Sequence, residues 1–419
     1  MSINSNFENA FKRAVAPGPD RLLAGVALAA AGSRVKEDGV KTPDYKTAFG
    51  TLQLDPASSP VLTQTVMWLA SCNKLVTTIA ALQCVERGLF TLDSSADVDK
   101  LLPEWQHTEI ITGFTEDAKP ILQPANEKIT LRQLLTHTSG VAYDFMHPLL
   151  VQWRQGRGER PLGMRTPIIE GFQHPLVSEP GSGWIYGASL DLVGLMIARA
   201  NNVTLEEYMR RNIFDLLGMN NTSFHPKKHN NMIDRLMPMI NRTESGLIDG
   251  ETPDAVMNVP VEPTDDFGGA GLFGTADDFL EVLKSILHND GKLLKSDSID
   301  LMFTPALSEA QIESQNGLLS TPMAAAIMTP GEPPVGTAGA GKWVYGIGGL
   351  IGLHNSDDGF EPGWMQWGGA PNLKWWIDRK GGTCGIFATQ LFPPGELKHA
   401  FLGKVFQKEM VSHFTKATA

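Results

Sequence analysis

Ser71 and Lys74 stand three residues apart in the stretch VMWLASCNKL. Residues at that spacing share one face of a helix, so the lysine amine can reach the serine hydroxyl. A serine hydroxyl is a weak nucleophile until a base takes its proton. A buried lysine with a lowered pKa can supply part of that base, and the start of a helix favours the negative charge that develops. The chemistry this predicts is acyl transfer through an acyl-serine. Serine and lysine are common, so the spacing alone is weak evidence. The setting adds weight, because the apolar VMWLA leads in and an apolar helix follows, as such a motif requires.

Two further groups could join that chemistry. Tyr186 lies in EPGSGWIYGAS, after a glycine-rich turn and before a helix. A phenol can act as a general base when a nearby cation lowers its pKa, and Lys74 would be that cation. Taken alone, Tyr186 reads equally as a core tyrosine bonded to backbone. Trp367-Gly368-Gly369-Ala370 lies in MQWGGAPNLKWW. Glycines before a strand let the backbone approach a ligand closely. A backbone N–H there, paired with that of Ser71, would make an oxyanion hole. The competing reading is a simple turn or bulge between strands. Cys72, beside the serine, reads as buried and inert.

The elements that must position these residues are legible in outline. A helix from about Asn73 to Gly88 carries Lys74. Leu75, Ile79, Leu82 and Val85 recur at helical spacing, and Gly88 sits where a C-cap glycine belongs. Further helices are predicted over 7–14, 129–140, 189–202 with Ser189 as N-cap, and 204–219 with a Thr204/Glu207 capping box. Two more are predicted over 275–291, capped by Thr275 or the following Asp pair, and over 397–414. Strands are predicted in 22–32, 45–55, 343–353, 373–380 and 383–391. Residues 305–342 are rich in Ala, Pro, Gly and Ser and read as a long surface loop or a lid. The expected fold class is α/β (α+β). A central antiparallel sheet flanked by helices is built from 1–95 and 265–419, with a mainly helical inserted domain over 96–264. The site would lie between them.

Composition narrows the partners. The chain has 419 residues, a net charge of −11 and no long Lys/Arg run, so no nucleic-acid partner is expected. Three cysteines, Cys72, Cys84 and Cys384, are too few for a disulfide framework and point to a reducing compartment. MSINSNFENAFKRAVAP lacks the basic start and apolar stretch of a secretory signal. With no apolar run long enough to span a bilayer, neither a membrane anchor nor export is expected, and the expected location is cytoplasmic. No H-E-x-x-H or paired C-x-x-C occurs, so neither a metal nor another cofactor is expected. GIGG at 346–349 lacks the spacing of a dinucleotide fingerprint.

An S-x-x-K, a tyrosine motif just over a hundred residues later and a glycine-containing strand near the C-terminus follow the order of the serine β-lactamases and penicillin-binding proteins. LVTTIAALQCVERGLFTLD, ITLRQLLTHTSG, EPGSGWIYGAS, NIFDLLGMNNTSF, GGAGLFGTADDF and YGIGG all resemble stretches of that superfamily. The class C β-lactamase and esterase branch is closest, and within it the fungal acyltransferase type of the lovastatin pathway. The resemblance runs from about residue 7 to the C-terminal helix and implies a β-lactamase/transpeptidase-like fold.

By this resemblance Ser71 attacks the acyl carbonyl, and Lys74 and Tyr186 share the proton transfers. The N–H groups of Ser71 and Ala370 hold the oxyanion, and His137 belongs to a structural turn. Two departures matter. The usual Y-x-N has Ala188 in place of its asparagine, and Trp367 replaces the lysine of K-T-G, which contacts a substrate carboxylate. The loss of that lysine argues against penicillins and peptidoglycan peptides and for a more apolar substrate. Trp367, Gly368, Gly369, Tyr143, Phe145 and Trp153 are the expected pocket residues, with core packing as the alternative for each aromatic.

The expected activity is a serine acyltransferase. It would move a short acyl group from a thioester or ester donor, with an acyl-carrier protein as a candidate partner, to a hydrophobic polyketide-like alcohol. The alternative is a carboxylesterase using the same intermediate. A β-lactamase or peptidase, and a non-catalytic binding protein, rank below both.

Overall fold

Strand Gly25–Gly32 contains only Gly, Ala, Val and Leu and is buried at every position. Its small side chains let neighbours press close on both sides. Tyr45–Gly50 pairs along one edge and Thr383–Ala388 along the other, with Ala27 opposite Ala388. The sheet continues through Leu373–Asp378, Trp364–Gly369, Leu350–Gly352 and Trp343–Tyr345. All seven strands are antiparallel to their neighbours. The computed structural model describes residues 5–33, 42–250, 259–329 and 342–415.

Leu373–Asp378 and Thr383–Ala388 are also buried throughout, so helices must cover both sheet faces. The helices Ser5–Val15 and Leu397–Thr415 pack on one face. There Phe11 meets Phe387 at 6.2 Å between ring centres and Phe406 meets Trp376 at 5.3 Å. Ala276–His288 packs against the same three central strands, capped by Thr275, whose Oγ1 accepts the Asp278 N–H at 3.1 Å. The chain ends thus supply the sheet, and the residues between supply Asn73–Glu86, Ser189–Asn201 and a set of shorter helices. Among the described residues no helix is long and apolar enough to cross a membrane.

Several expectations change in detail. Ser189 is not the N-cap of its helix. Ala188 is, and the Ser189 hydroxyl instead bonds that of Ser139 at 2.9 Å. The helix expected over 129–140 stops at Leu135, because the backbone turns left-handed at His137 (φ +58°) and Gly140 (φ +80°). The mainly helical middle also holds a hairpin of Glu109–Phe114 with Pro120–Pro124, and the paired strands Ile240–Thr243 and Gly246–Asp249. The 305–342 stretch is not one loop: it contains the helices Glu309–Leu319 and Pro322–Met328, while 330–341 lies outside the described residues. The expected capping box is present, with Thr204 and Glu207 bonding each other's backbone N–H at 3.2 and 3.1 Å.

Candidate active site

A short strand leads straight into the nucleophile position. Met67–Trp68 pairs with Phe273–Gly274, and the Leu69 N–H donates to Leu272 O at 2.9 Å. Ala70 then takes φ +46°, a left-handed backbone that costs an alanine of order 1–3 kcal/mol. The tight turn Ala70–Cys72 follows, and helix Asn73–Glu86 begins at once. This strand, strained turn and helix leave Ser71 half-buried at the helix start while Lys74, one turn on, is fully buried.

Two side chains converge on the Ser71 oxygen. Lys74 Nζ donates to Ser71 Oγ at 3.1 Å, and the Tyr186 hydroxyl donates to the same oxygen at 2.8 Å. The lysine nitrogen also lies 4.7 Å from the centre of the Tyr186 ring, close enough for a cation–π attraction. Its other two bonds go to Gly269 O at 2.8 Å and to Tyr143 Oη at 3.3 Å. Helix and turn are laced together beneath it. Asn73 Nδ2 donates to Phe267 O at 2.8 Å, and Thr77 Oγ1 donates to Gly268 O at 2.6 Å. Gly269 must be glycine, since a Cβ would stand 2.5 Å from Asp191 Oδ2.

Burial sets the protonation of the surroundings. Asp191 is pushed up to about 6 by burial, with the Lys74 charge pulling it back down. Tyr143 is raised well above the ordinary phenol value by burial and by the neighbouring Asp191. His137 is driven well below the ordinary imidazole value by burial and then by Lys74, so it is neutral. Burial also raises the Cys72 thiol, which leaves it protonated beside Ser71. All three cysteines are buried thiols outside any disulfide.

Strand Trp364–Gly369 forms the opposite wall. It approaches the nucleophile turn so closely that a Cβ on Gly369 would lie 2.5 Å from Leu69 O. Gly369 pairs with Leu373, so Ala370-Pro371-Asn372 is a three-residue hairpin loop. Asn372 takes the left-handed position (φ +63°) that such loops require. Its side chain fixes the loop by donating to Leu391 O and Pro393 O, both at 2.8 Å. Ala370 is thereby held in the same cleft as Ser71.

The cleft holds roughly 990 Å³, its open mouth included, and is walled by Tyr143, Phe145, Tyr186, Trp367, Gly368, Gly369 and Ala370 around Ser71. Trp367 packs at 5.4 Å on both Tyr186 and Tyr345. Met146, Met164, Leu318, Met323, Ala324, Ile327 and Met328 add to the wall, and sequence reasoning missed them. Five of the seven lie in the 305–342 stretch, Leu318 on helix Glu309–Leu319 and four on helix Pro322–Met328. Among the described residues the lining carries no charged side chain. Trp153 is elsewhere. It sits on helix Pro148–Gly156 and lines a separate surface hollow. The guanidinium groups of Arg154 and Arg157 lie 5.1 and 4.8 Å from the centre of its ring.

A hydroxyl set between an amine and a phenol, at the floor of an apolar cleft, is equipped to attack an acyl carbonyl. Known proteins share this arrangement of chain. Residues 12–403 match the Beta-lactamase family. The chain is 37% identical over 350 residues to lovastatin esterase of Penicillium rubens, spanning 82% of this chain and 85% of that one. It is 35% identical over 397 residues to monacolin J acid methylbutanoyltransferase of Aspergillus terreus, spanning 92% and 90%. The unliganded selenomethionyl simvastatin synthase (LovD) of Aspergillus terreus superposes with a TM-score of 0.86, at 31% identity over 98% of both chains. By family match, relatives and superposition alike, this chain belongs to the β-lactamase family, in its branch of serine acyltransferases and esterases.

Proposed function

We propose that this chain is a serine acyltransferase that moves a short acyl group onto a hydrophobic, polyketide-like alcohol. The observation that carries the reading is the convergence of Lys74 Nζ and Tyr186 Oη on Ser71 Oγ, at 3.1 and 2.8 Å, under an uncharged cleft. Ser71 Oγ attacks the donor carbonyl as its proton passes to the Lys74–Tyr186 pair. The N–H groups of Ser71 and Ala370 hold the oxyanion. The same pair returns the proton to the departing thiol or alcohol, leaving acyl-Ser71. The acceptor hydroxyl then enters, gives its proton to the pair and takes the acyl group, which regenerates Ser71.

Trp367 supports an apolar substrate. It presents a ring where related enzymes carry a lysine for a substrate carboxylate. Tyr143, Phe145, Gly368 and Gly369 are the other pocket walls in this reading. The donor is a thioester or ester, and an acyl-carrier protein could deliver it to the open mouth of the cleft. The buried thiols fit a reducing compartment, so we assign the reaction to the cytoplasm.

Hydrolysis by the same intermediate is the second reading, favoured by the similarity to an esterase. Intact-protein mass spectrometry after incubation with a short acyl thioester separates the two. An adduct on Ser71 that persists in buffer and discharges onto an added polyketide alcohol means transfer. Rapid discharge in buffer alone, with free acid released, means hydrolysis. No adduct in either case overturns both.

A further inference from the structure

Asp191 lies in the first turn of helix Ser189–Asn201 and is completely buried. An isolated carboxylate in such a place is unfavourable, and both of its oxygens are committed. Oδ1 accepts the Gly269 N–H at 2.8 Å, and Oδ2 accepts the Tyr143 hydroxyl at 3.2 Å. Those two residues supply two of the three acceptors of Lys74, through Gly269 O at 2.8 Å and Tyr143 Oη at 3.3 Å. One carboxylate therefore fixes two of the lysine's three partners, and the third is Ser71.

We propose that Asp191 is a positioning residue for acyl transfer, which aims the Lys74 lone pair at Ser71 by holding Gly269 and Tyr143 as acceptors that return no proton. This rests on the acyl-Ser71 reading above. A neutral amine has two N–H bonds and one lone pair. A carbonyl oxygen only accepts, and the Tyr143 proton is already given to Asp191. Charged Lys74 donates to all three partners, Ser71 included; in the deprotonated form that the acyl-Ser71 reading requires of a base, its two N–H bonds stay on Gly269 and Tyr143, and the lone pair is left facing the Ser71 hydroxyl.

Protonating Asp191 reverses one link. Oδ1 still faces the Gly269 N–H, so the new proton sits on Oδ2 and points at the Tyr143 oxygen. The Tyr143 hydroxyl must then turn its own proton toward Lys74, where it occupies the lone pair. The titratable groups facing Asp191 are Lys74 from the nucleophile helix and Tyr143 from the loop before helix Pro148–Gly156, while the Phe267–Gly269 turn contributes the Gly269 N–H. Burial raises the Asp191 carboxyl to about 6, so the reversal falls within a range where the rate can be measured.

The test is the rate of Ser71 acylation by a short acyl thioester between pH 5 and 8, followed before steady state, in wild type and Asp191→Asn. The amide keeps the shape and donates permanently to Tyr143. The expected result is a fall of about 10²-fold at pH 8, the lower end of what proton-transfer groups contribute. KM should stay within a few-fold and the melting temperature should not fall. The acid limb near pH 6 should be present in wild type and absent in the variant. A folded Asp191→Asn with the wild-type rate and acid limb overturns the proposal. Should that variant not fold, Tyr143→Phe decides, because it breaks the link at its middle. Loss of the acid limb there supports the proposal, and retention overturns it. Ser71→Ala run in parallel separates the two layers, since adduct formation without Ser71 means that the acyl-serine reading has failed.

Discussion

At the scale of single residues, the site works by geometry around one oxygen. Ser71→Ala should abolish adduct and turnover while the fold stays intact, as a circular dichroism spectrum and melting curve would check. Tyr186→Phe keeps the ring against Trp367 and loses only the 2.8 Å bond to Ser71 Oγ. Its turnover should fall by about 10²–10⁴-fold, and a wild-type rate in either variant would refute the assignment. Asp191 adds a consequence for stability. Its carboxyl titrates at about 6 in the folded protein, against about 3.9 in an unfolded chain. The folded state holds the proton more tightly, so between those values the unfolding free energy drops as pH rises, by about 3 kcal/mol in all. Asp191→Asn should remove that drop and melt at or above the wild type at pH 7.5. A melt several degrees lower would mean that the carboxylate supports the fold instead.

At the scale of elements, the proposed catalysis would depend on how closely strand Trp364–Gly369 sits against the Ala70–Cys72 turn. Gly369→Ala puts a methyl 2.5 Å from Leu69 O, a clash with backbone that only movement of the strand relieves. Overpacking of this kind costs about 1–3 kcal/mol. Because it also shifts Ala370, acylation should slow far more than the melting temperature falls, and equal proportional losses would argue against a role for that hairpin in the site. These elements differed in how openly the sequence announced them. Asn73–Glu86 was legible from its apolar spacing and from Gly88, which does take the left-handed backbone at φ +70°. The Thr204/Glu207 box was legible because both reciprocal bonds are local. The helices over the cleft mouth were not, because EAQIESQNGLL has almost no apolar periodicity and PMAAAIM is too short to show any. Signals were present in their caps: Ser308 and Gln311 form a capping box, and Thr321 caps a helix with proline at its first position. Trp153 shares its sequence neighbourhood with Tyr143, yet helix Pro148–Gly156 turns Leu150 and Arg154 inward and leaves Trp153 half-buried against Leu150, facing the separate hollow. Asp191 was invisible to spacing arguments, since its partners Tyr143 and Gly269 lie 48 and 78 residues away.

At the scale of the whole molecule, buried imidazoles set the response to acid. Burial, aided by the charge of Lys374, holds His399 down to about 3, and burial likewise keeps His137 well below its ordinary value. Once unfolded, both take up a proton near pH 6.5. Their contribution to stability is therefore complete above pH 6.5 and is lost as pH falls toward the folded values. Each tilts the unfolding free energy by up to about 1.4 kcal/mol per pH unit. Asp191 tilts it the other way between about 6 and 3.9, as do Asp278 and Asp378, whose carboxyls burial also raises, against four imidazoles that burial holds down, His137, His147, His174 and His399. Urea unfolding at pH 7.5 and pH 5 should show a net loss in acid, and His399→Leu should flatten that slope. A slope unchanged by the substitution would assign the acid sensitivity elsewhere.

The sheet also dictates an order of events during synthesis. Gly32 pairs with Thr383 and Ala27 with Ala388, so the partner for one edge of the first long strand leaves the ribosome about 350 residues later. At typical elongation rates of ~5–20 residues per second, that wait is roughly 20–70 s. Through all of it the nascent chain carries GVALAAAG with one edge unsatisfied, the kind of edge on which chains aggregate. A ribosome stalled before Thr383 would hold a polypeptide that already contains Ser71, Lys74, Tyr186 and Trp367 but not the strand that closes the sheet. Such a product should be insoluble and inactive, and its burden on cellular chaperones should vanish once the last few dozen codons are read.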